Sequence, residues 1–338
     1  MHHALEISEV IQLVLSHVDN HWALENLAQV SKAFHEPAIN ALYSELDFWF
    51  EILRCLPQDL RKFKQEERPE GAFCGNWQPP WTIVRRSLLE RNPLHYYLTG
   101  AQSFRRKMTE EEWALLRSRA ANVHSIGVRD TGRDEVDPKE WHMYSHQSPF
   151  AAAAMTYQLD QSVIDAFMTA PQCLLFPSLR VLTLGHGCPP AILPMFLPPC
   201  LRRLRLSINA ISDIARLPLS ITELCPAVDS FSCHGHPLRN LDVSCRFISG
   251  WKHLRSITGV VPLDTHMWKH LTSLESLKTL EVHTFTPYSR PWFGTNISCL
   301  REIDNLSLTS GNFKGAADSL EGLLCSDGRS TKASVRQL

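Results

Sequence analysis

The sequence lacks both an excess of charge of one sign and a long hydrophobic run, and each absence excludes a class of protein. Its 338 residues carry 34 Lys and Arg against 35 Asp and Glu, giving a formal net charge of -1. The chain therefore lacks the broad positive field that non-specific nucleic-acid or anionic-membrane binding needs. The longest apolar stretches, 151–155 and 191–197, fall far short of the roughly 20 residues of a membrane-spanning helix. We expect no nucleic-acid partner and no membrane partner.

Export signals and paired cysteines are also missing. The first twenty residues do not combine a basic start with a continuous apolar run, so no signal peptide is expected. The ten cysteines form no CxxC pair, which favours reduced thiols. We therefore predict a cytoplasmic and/or nuclear protein.

Common catalytic motifs are absent. The chain contains no GxxxxGK[ST] phosphate loop, no HExxH zinc helix and no GxSxG nucleophile turn. We predict no catalytic residue, no cofactor and no enzyme activity. Because a dispersed catalytic triad leaves no sequence motif, an unrecognised hydrolase stays as an alternative.

One group of residues has the chemistry of a zinc site. Thiolates and imidazoles bind zinc, and five such side chains lie close together in the sequence: Cys225, Cys233, His234, His236 and Cys245. Their spacing differs from that of paired zinc knuckles, and buried cysteine is a common core residue. We predict no metal site.

The first fifty residues have the apolar periodicity of three short helices. The first is predicted by the helical spacing of Ile7, Val10, Ile11, Val14, Leu15 and Val18, and it should end near Asn20. The second is predicted by Leu24, Leu27, Ala28, Val30 and Phe34. Pro37 is expected as the first residue of the third, where its missing amide hydrogen is not needed. A unit of this size buries little surface, so we expect it to lean on other parts of the chain.

These residues resemble the F-box, in particular that of fungal F-box proteins with irregular repeat domains. The stretches that carry the resemblance are ALEISEVIQLVLSHV, LAQVSKAFHEPAINALYSEL and EILRCLP. Glu6 stands where the family usually has proline, and Tyr43 where it often has tryptophan. The resemblance implies that this module binds a Skp-type adaptor subunit and, through it, a cullin-RING ubiquitin ligase.

The resemblance also suggests the adaptor-binding residues. We expect adaptor contacts from the first turn and the apolar edges of the helices: Leu5, Ile7, Val10, Ile11, Val14, Leu15, Leu27, Val30, Phe34 and Pro37. The alternative is that residues 1–57 only form a helical cap on the domain that follows.

The remaining chain contains a repeated aliphatic pattern with the spacing LxxLxL. It appears at Val123-Ile126-Val128, Leu179-Leu182-Leu184, Leu201-Leu204-Leu206, Leu238-Leu241-Val243, Leu277-Leu280-Val282 and Ile303-Leu306-Leu308. With weaker copies at Ile221 and Leu254, the steps from Leu179 onward are 22, 20, 17, 16, 23 and 26 residues, near the 20–29 of leucine-rich repeats. Upstream, Thr109 and Glu112 predict a helical capping box.

Together these patterns predict an α/β fold: an N-terminal three-helix F-box module followed by an irregular leucine-rich-repeat-like solenoid. The expected ranges are an F-box module at 1–57, a linker or insertion with helical segments at 58–107, a repeat-like domain at 108–311 and a polar C-terminal tail or weak cap at 312–338. The expected function is a non-catalytic substrate adaptor of a Skp-cullin-F-box ligase that binds an unknown protein target. A repeat scaffold without a ligase role is the alternative.

The predicted target-binding face follows from strand geometry. Side chains alternate along a strand, so the residues between the inward aliphatics should line the concave face of the solenoid. The ten positions are Val181 and Thr183, Arg203 and Arg205, Asn240 and Asp242, Thr279 and Glu281, and Asn305 and Ser307. This face should run from basic to acidic. Target contacts from loops or from the insertion near 65–92 are the alternative.

Overall fold

The structure, a computed structural model, divides into two compact units, Met1–Pro177 and Ser178–Leu338. It describes residues 8–18, 20–46, 49–65, 100–127, 161–170, 174–184, 190–207, 221–234, 241–260, 265–284, 303–310 and 332–337. The division between the units falls inside the 108–311 range that the sequence assigns to one repeat-like domain.

The N-terminal module consists of three helices, α1 (Ser8–Leu15), α2 (His21–Val30) and α3 (Lys32–Ser44). The side chain of Asn20 caps α2 by accepting hydrogen bonds from the amides of Trp22 (3.0 Å) and Ala23 (3.3 Å). An N-cap of this kind satisfies amides that have no partner within the helix. Apolar side chains from all three helices form one core: Ile11, Leu15, Leu24, Ala28 and Ala38.

The predicted start of the third helix is wrong. Pro37 lies inside α3, which begins five residues earlier at Lys32. The first turn forms upstream of the proline, where the amides of Phe34 and His35 donate to the carbonyl of Ser31. Proline in that position removes one helical hydrogen bond, and its burial beside Ala38 in the module offsets part of the cost.

The module leans on the rest of the first unit, as its small size predicts. Arg119 forms an ion pair with Glu36 at 2.8 Å and, by this bond, lowers the pKa of the Glu36 carboxyl. The side chain of Asn122 donates to that of Asn40 at 2.9 Å, and the amide of His124 donates to the carbonyl of Ser44 at 2.7 Å.

The rest of the first unit mixes short strands and helices. After α3 come β1 (Glu45–Leu46), a 3-10 helix (Trp49–Cys55), β2 (Arg61–Gln65), β3 (Gly100–Phe104), α4 (Glu110–Ala120), β4 (Ser125–Ile126) and α5 (Gln161–Met168). Strands β1 and β4 pair in parallel, and β2 and β3 pair antiparallel. This antiparallel pair lies at the two ends of the predicted insertion. The helical segments that the sequence predicts for residues 66–99 lie outside the described residues.

Helix α4 begins with the predicted capping box. The hydroxyl of Thr109 accepts from the amide of Glu112, and the carboxylate of Glu112 accepts from the amide of Thr109 at 2.8 Å. The ring of Phe167 packs against two tryptophans, Trp49 and Trp113 of α4. In each pair the ring centroids are 5.6 Å apart and the rings are edge-to-face. Such edge-to-face aromatic packing contributes stabilisation beyond that from the area that the rings bury.

The second unit contains a parallel sheet. In the described part of the chain it has seven strands, β5 (Val181–Leu184), β6 (Arg203–Ser207), β7 (Ser230–His234), β8 (Ser256–Val260), β9 (Thr279–Thr284), β10 (Asn305–Ser310) and β11 (Lys332–Gln337). Each strand pairs with the next one along the chain. Between them lie a 3-10 helix (Pro190–Phe196), α6 (Ile221–Leu224), α7 (Leu241–Gly250) and α8 (Thr265–Thr272).

The strands align mostly apolar side chains in two inward rows. One row follows the register Leu182, Leu204, Phe231, Ile257, Leu280 and Leu306, and all six are buried. The residues between the two rows are mostly partly exposed, so the predicted alternation along the strands is confirmed. Trp251 is also buried in this unit, where its indole N–H donates to the carbonyl of Cys225 at 3.0 Å.

One repeat in the middle of the array was placed wrongly from the sequence. In the match Leu238-Leu241-Val243, Leu241 and Val243 lie in α7, not on a strand, and Leu238 lies outside the described residues. Ile221 begins α6. The strand of this region is β7, whose pattern is Val228-Phe231-Cys233. An aromatic ring and a thiol occupy two of its inward positions, so a search for aliphatic residues misses it.

With β7 in place, the strand pattern becomes more regular. Its first positions are Leu179, Leu201, Val228, Leu254, Leu277 and Ile303, separated by 22, 27, 26, 23 and 26 residues. All these steps fall within the 20–29 residues of leucine-rich repeats. A further strand, β11, lies in the range predicted as a polar tail or weak cap, and it pairs with β10 over six residues.

Candidate functional site

Helix α1 carries apolar side chains on two different faces. Ile11 and Leu15, one turn apart, are buried in the module core. Leu13 and Val14 point elsewhere, and they are 63% and 52% exposed. Because successive residues are about 100° apart around a helix, Leu13 lies opposite the buried pair. A contiguous patch of such residues would mark a docking surface.

Helix α2 has the same division. Leu24 and Ala28 are buried, whereas Trp22 and Val30 are 63% and 71% exposed. Trp22, Asn26 and Val30 follow the i, i+4, i+8 spacing that places residues on one helix face. We call Leu13, Val14, Trp22 and Val30 the exposed apolar set of the module.

The predicted adaptor-binding residues fall into three groups. Ile11, Leu15 and Pro37 are buried within the module, so their side chains are not available on its surface. Val10, Leu27 and Phe34 are half-buried, and the last two pack against the core. Val14 and Val30 are exposed. Leu5 and Ile7 lie outside the described residues.

Two members of the exposed set were missed from the sequence. Leu13 and Trp22 do not follow the apolar periodicity that predicts the helices, so that periodicity does not mark them as binding residues. The sequence signal for such a residue is an apolar side chain that breaks the period of an amphipathic helix. Such a side chain does not face the core, so it is exposed unless another molecule covers it.

The second candidate surface is the solvent-facing side of the parallel sheet. Seven predicted target-binding residues lie on its strands at the expected positions: Thr183, Arg203, Arg205, Thr279, Glu281, Asn305 and Ser307. Val181 lies beside Arg203 in the register. Asp242 lies in α7, so the strand argument does not apply to it. Asn240 is outside the described residues.

Hydroxyl side chains fill the middle of this face. On the strands between the arginines and Glu281, the corresponding positions are Ser230 and Ser232 on β7 and Ser256 and Thr258 on β8, of which Ser232 is buried. The expected change from basic to acidic residues therefore crosses two strands of neutral hydroxyls. At the acidic end, the side-chain amide of Asn305 donates to the Glu281 carboxylate at 3.2 Å.

Two cysteines of the group with zinc-site chemistry, Cys225 and Cys233, are buried in the core of the second unit. The thiol of Cys225 is buried and donates to the carbonyl of Ile221 at 2.9 Å. Burial raises its pKa to about 12, because the thiolate loses its solvation there. Cys233 is buried in the inward row of the sheet. Across the described part of the chain, no group of three or more potential ligands is arranged to hold a metal ion.

Comparisons with known proteins add no family assignment. The chain matches no protein-family model, and no curated protein is significantly similar to it in sequence. Among the described residues, no helix is both long and apolar enough to cross a membrane. The candidate functions therefore rest on the two surfaces alone.

Proposed function

We propose that the chain is a substrate receptor of a Skp-cullin-F-box type ubiquitin ligase. The N-terminal module binds the Skp-type adaptor, the leucine-rich-repeat-like sheet binds a target protein, and the chain itself has no catalytic role. The observation that carries the proposal is the exposed apolar set on α1 and α2, which lies outside the core that holds the module together.

The elements within each unit support these two separate binding roles. The first unit contains the three-helix module that resembles the F-box, and the second contains parallel strands at the spacing of leucine-rich repeats. Stacked repeats of this type offer extended surfaces for protein recognition. An adaptor of this kind acts in the cytoplasm and/or the nucleus, where the ligase machinery operates.

The test compares charged substitutions at apolar and polar positions of the same helices. Val14→Glu with Val30→Glu places two charges in the proposed interface. Gln12→Glu with Gln29→Glu places the same charges on the same helices, at residues that are also exposed. Burial of one aliphatic side chain contributes roughly 1.5–3 kcal/mol, so the valine variant should bind a purified Skp-type adaptor at least about 100-fold more weakly.

Both variants should keep the helical circular dichroism of the unaltered protein, because every altered side chain is exposed. Equal adaptor affinity of the valine and glutamine variants would contradict the docking proposal. Point variants are preferable to removal of residues 1–48, since Glu36, Asn40 and Ser44 bond to α4 and its following turn. Deletion would disturb the rest of the first unit as well as the interface.

The main alternative is a repeat scaffold in which the module acts as a cap. The bonds from α3 to Arg119, Asn122 and His124 fit a cap as well as a docking module. A cap, however, does not require exposed apolar residues on α1 and α2. Affinity capture of the full chain from cells, with detection of adaptor and cullin subunits by mass spectrometry, separates the two: a scaffold would retain neither subunit.

A further inference from the structure

A row of charged side chains runs along the edge of the parallel sheet at which the strands of the second unit begin. The residue immediately before each strand from β5 to β10 is charged, and these residues are Arg180, Arg202, Asp229, Arg255, Lys278 and Asp304. We call them the charged row. Its charges follow the order basic, basic, acidic, basic, basic, acidic.

The backbone holds the charged row in register. The carbonyl of each row residue accepts two hydrogen bonds from the next repeat, one from the next row residue and one from the residue after it. For example, the amides of Arg202 and Arg203 donate to the carbonyl of Arg180 at 2.8 and 2.9 Å. Because this pair of bonds recurs at every step as far as Asp304, the row residues occupy equivalent positions in successive repeats, about 4.8 Å apart.

Most charges of the row are available to a partner. Lys278 already has an interaction within the protein and is left out of the partner site. Of the other row residues, Asp229 is half-buried and the rest are exposed. Among the described residues, none of these others forms an ion pair within the protein. Arg202 donates to the carbonyl of Ala227 at 3.5 Å, a bond that leaves its positive charge without a counter-ion.

The spacing of the charged row fits a helix lying along the sheet edge. From Arg180 to Asp304, strand steps of about 4.8 Å cover about 24 Å in total. Side chains on one face of an α-helix recur about every 5.4 Å, so the same number of steps covers about 27 Å. Long arginine side chains can absorb the difference of about 3 Å. An extended peptide fits less well, because its alternate side chains recur at about 7 Å.

Charge complementarity gives the order of side chains on that helix. Carboxylates pair with the arginines of the row, and ammonium groups pair with its aspartates. We propose that the charged row binds a helix of the target protein whose one face carries the order acidic, acidic, basic, acidic, any residue, basic. A helix with another order places like charges against the row, which makes the order a source of specificity. This inference rests on the proposed function, since it describes the target that the receptor takes.

A uniformly anionic partner fits the charged row poorly. Asp229 lies between Arg202 and Arg255, and Asp304 ends the row. A nucleic acid, whose phosphates are all negative, would place like charges against both aspartates. A helix with only glutamate on its binding face would do the same, so such a helix is a control probe for the proposed charge order.

The test uses the purified full chain and a fluorescein-labelled, alanine-rich helical peptide of about 20 residues. This complementary helix carries glutamate, glutamate, lysine, glutamate, alanine and lysine in that order on one face, at the i, i+3 and i+4 spacing of a helix. Binding is measured by fluorescence anisotropy at low ionic strength, where exposed charges are least screened. Circular dichroism of each peptide checks its helix content.

Control peptides each change one property of the complementary helix. The first has the same composition but places both lysines before the glutamates, which breaks the order in either direction of binding. The second has glutamate in place of both lysines. The third keeps the order but has glycine in place of the alanines, which disfavours the helix.

Variants of the chain locate the site. Arg202→Gln plus Arg255→Gln, the row variant, removes two positive charges from the charged row. Lys107→Gln plus Lys269→Gln, the matched variant, removes the same charge from exposed residues outside it. Asp304→Lys reverses the last charge of the row, and it is tested with a further peptide in which the last lysine is glutamate.

We expect the complementary helix to bind the unaltered chain and the matched variant alike, and the row variant about tenfold more weakly, as two exposed ion pairs allow. Asp304→Lys should bind the glutamate-ending peptide more tightly than the complementary helix. No binding of the complementary helix, equal binding of any control peptide, or no change of preference in Asp304→Lys would overturn the assignment. Equal binding by the row and matched variants would do so as well. Adaptor capture by the row variant should be unchanged, so a failure here is separable from a failure of the proposed function.

Discussion

Gly259 on β8 offers the sharpest test of the parallel sheet. Its φ angle is +114°, a backbone conformation that side-chain-bearing residues rarely adopt. A Cβ atom at this position would lie 2.7 Å from the carbonyl carbon of Cys233 on β7 and closer still to its oxygen. Gly259 also pairs with Cys233 and with Val282 in the sheet, so the backbone has little room to move away.

We predict that Gly259→Ala lowers the free energy of unfolding by about 3 kcal/mol. A left-handed conformation costs an L-residue about 1–2 kcal/mol, and forcing extra atoms into a packed site costs about 1–3 kcal/mol more. The nearby change Ser256→Ala, at a partly exposed position on the same strand, should stay within about 0.5 kcal/mol. Against a total stability of about 5–15 kcal/mol, the difference is large.

Urea denaturation followed by circular dichroism measures this effect. With a slope of about 2–3 kcal/mol per molar urea, the midpoint of Gly259→Ala should fall by about 1 M relative to Ser256→Ala. Hydrogen exchange of a peptide covering 251–260 should locate the loss to β8. If the two variants unfold at the same urea concentration, the close approach of β7 and β8 at Gly259 is incorrect.

Three further predictions concern helix capping and buried polar groups. Thr109→Ala removes the capping box of α4 and should cost about 1 kcal/mol, a fall of about 2–4 °C in a thermal melt; an unchanged melting temperature would count against the cap. Trp251→Phe removes the indole donor from the carbonyl of Cys225, which still accepts from the amide of Val228 at 3.4 Å, and should cost about 0.5–1.5 kcal/mol in urea unfolding, whereas a cost near zero would mean that the bond contributes nothing. Because burial raises the pKa of the Cys225 thiol from 9.0 to about 12, its stabilising effect is complete below pH 9 and is lost as the pH rises from 9 to 12. The stability of Cys225→Ala should therefore fall less steeply over that range than that of the unaltered protein, and parallel curves would contradict this.

The strands with aliphatic inward residues could be placed from the sequence, and those with other residues could not. Leu179-Leu182-Leu184 and Leu277-Leu280-Val282 lead into β5 and β9 as predicted, because aliphatic residues at this spacing suit a buried strand face. The two inward positions of β7 hold Phe231 and Cys233, which also fill a core but are outside an aliphatic pattern. Leu241 fits the aliphatic strand pattern, but its i+4 and i+7 spacing to Cys245 and Ile248 is that of a helix, and it begins α7.

The candidate docking site was harder to predict for a different reason. The module has more apolar side chains than its core buries, and the sequence does not show which of them are exposed. Ile11 and Val14 both fit the period of one helix, yet Ile11 is buried and Val14 is exposed. The decision depends on how α3 packs against α1 and α2, which is tertiary information.

The strand order of the second unit has a consequence for how the chain folds. Each strand pairs with the strand next to it along the chain, so every sheet contact joins segments only one repeat apart. Contacts that are local in sequence require little loop closure, which speeds folding. A nucleus formed by any two neighbouring strands could then grow in either direction, one repeat at a time. During synthesis, β5 to β8 could assemble before the ribosome has released the residues of β11.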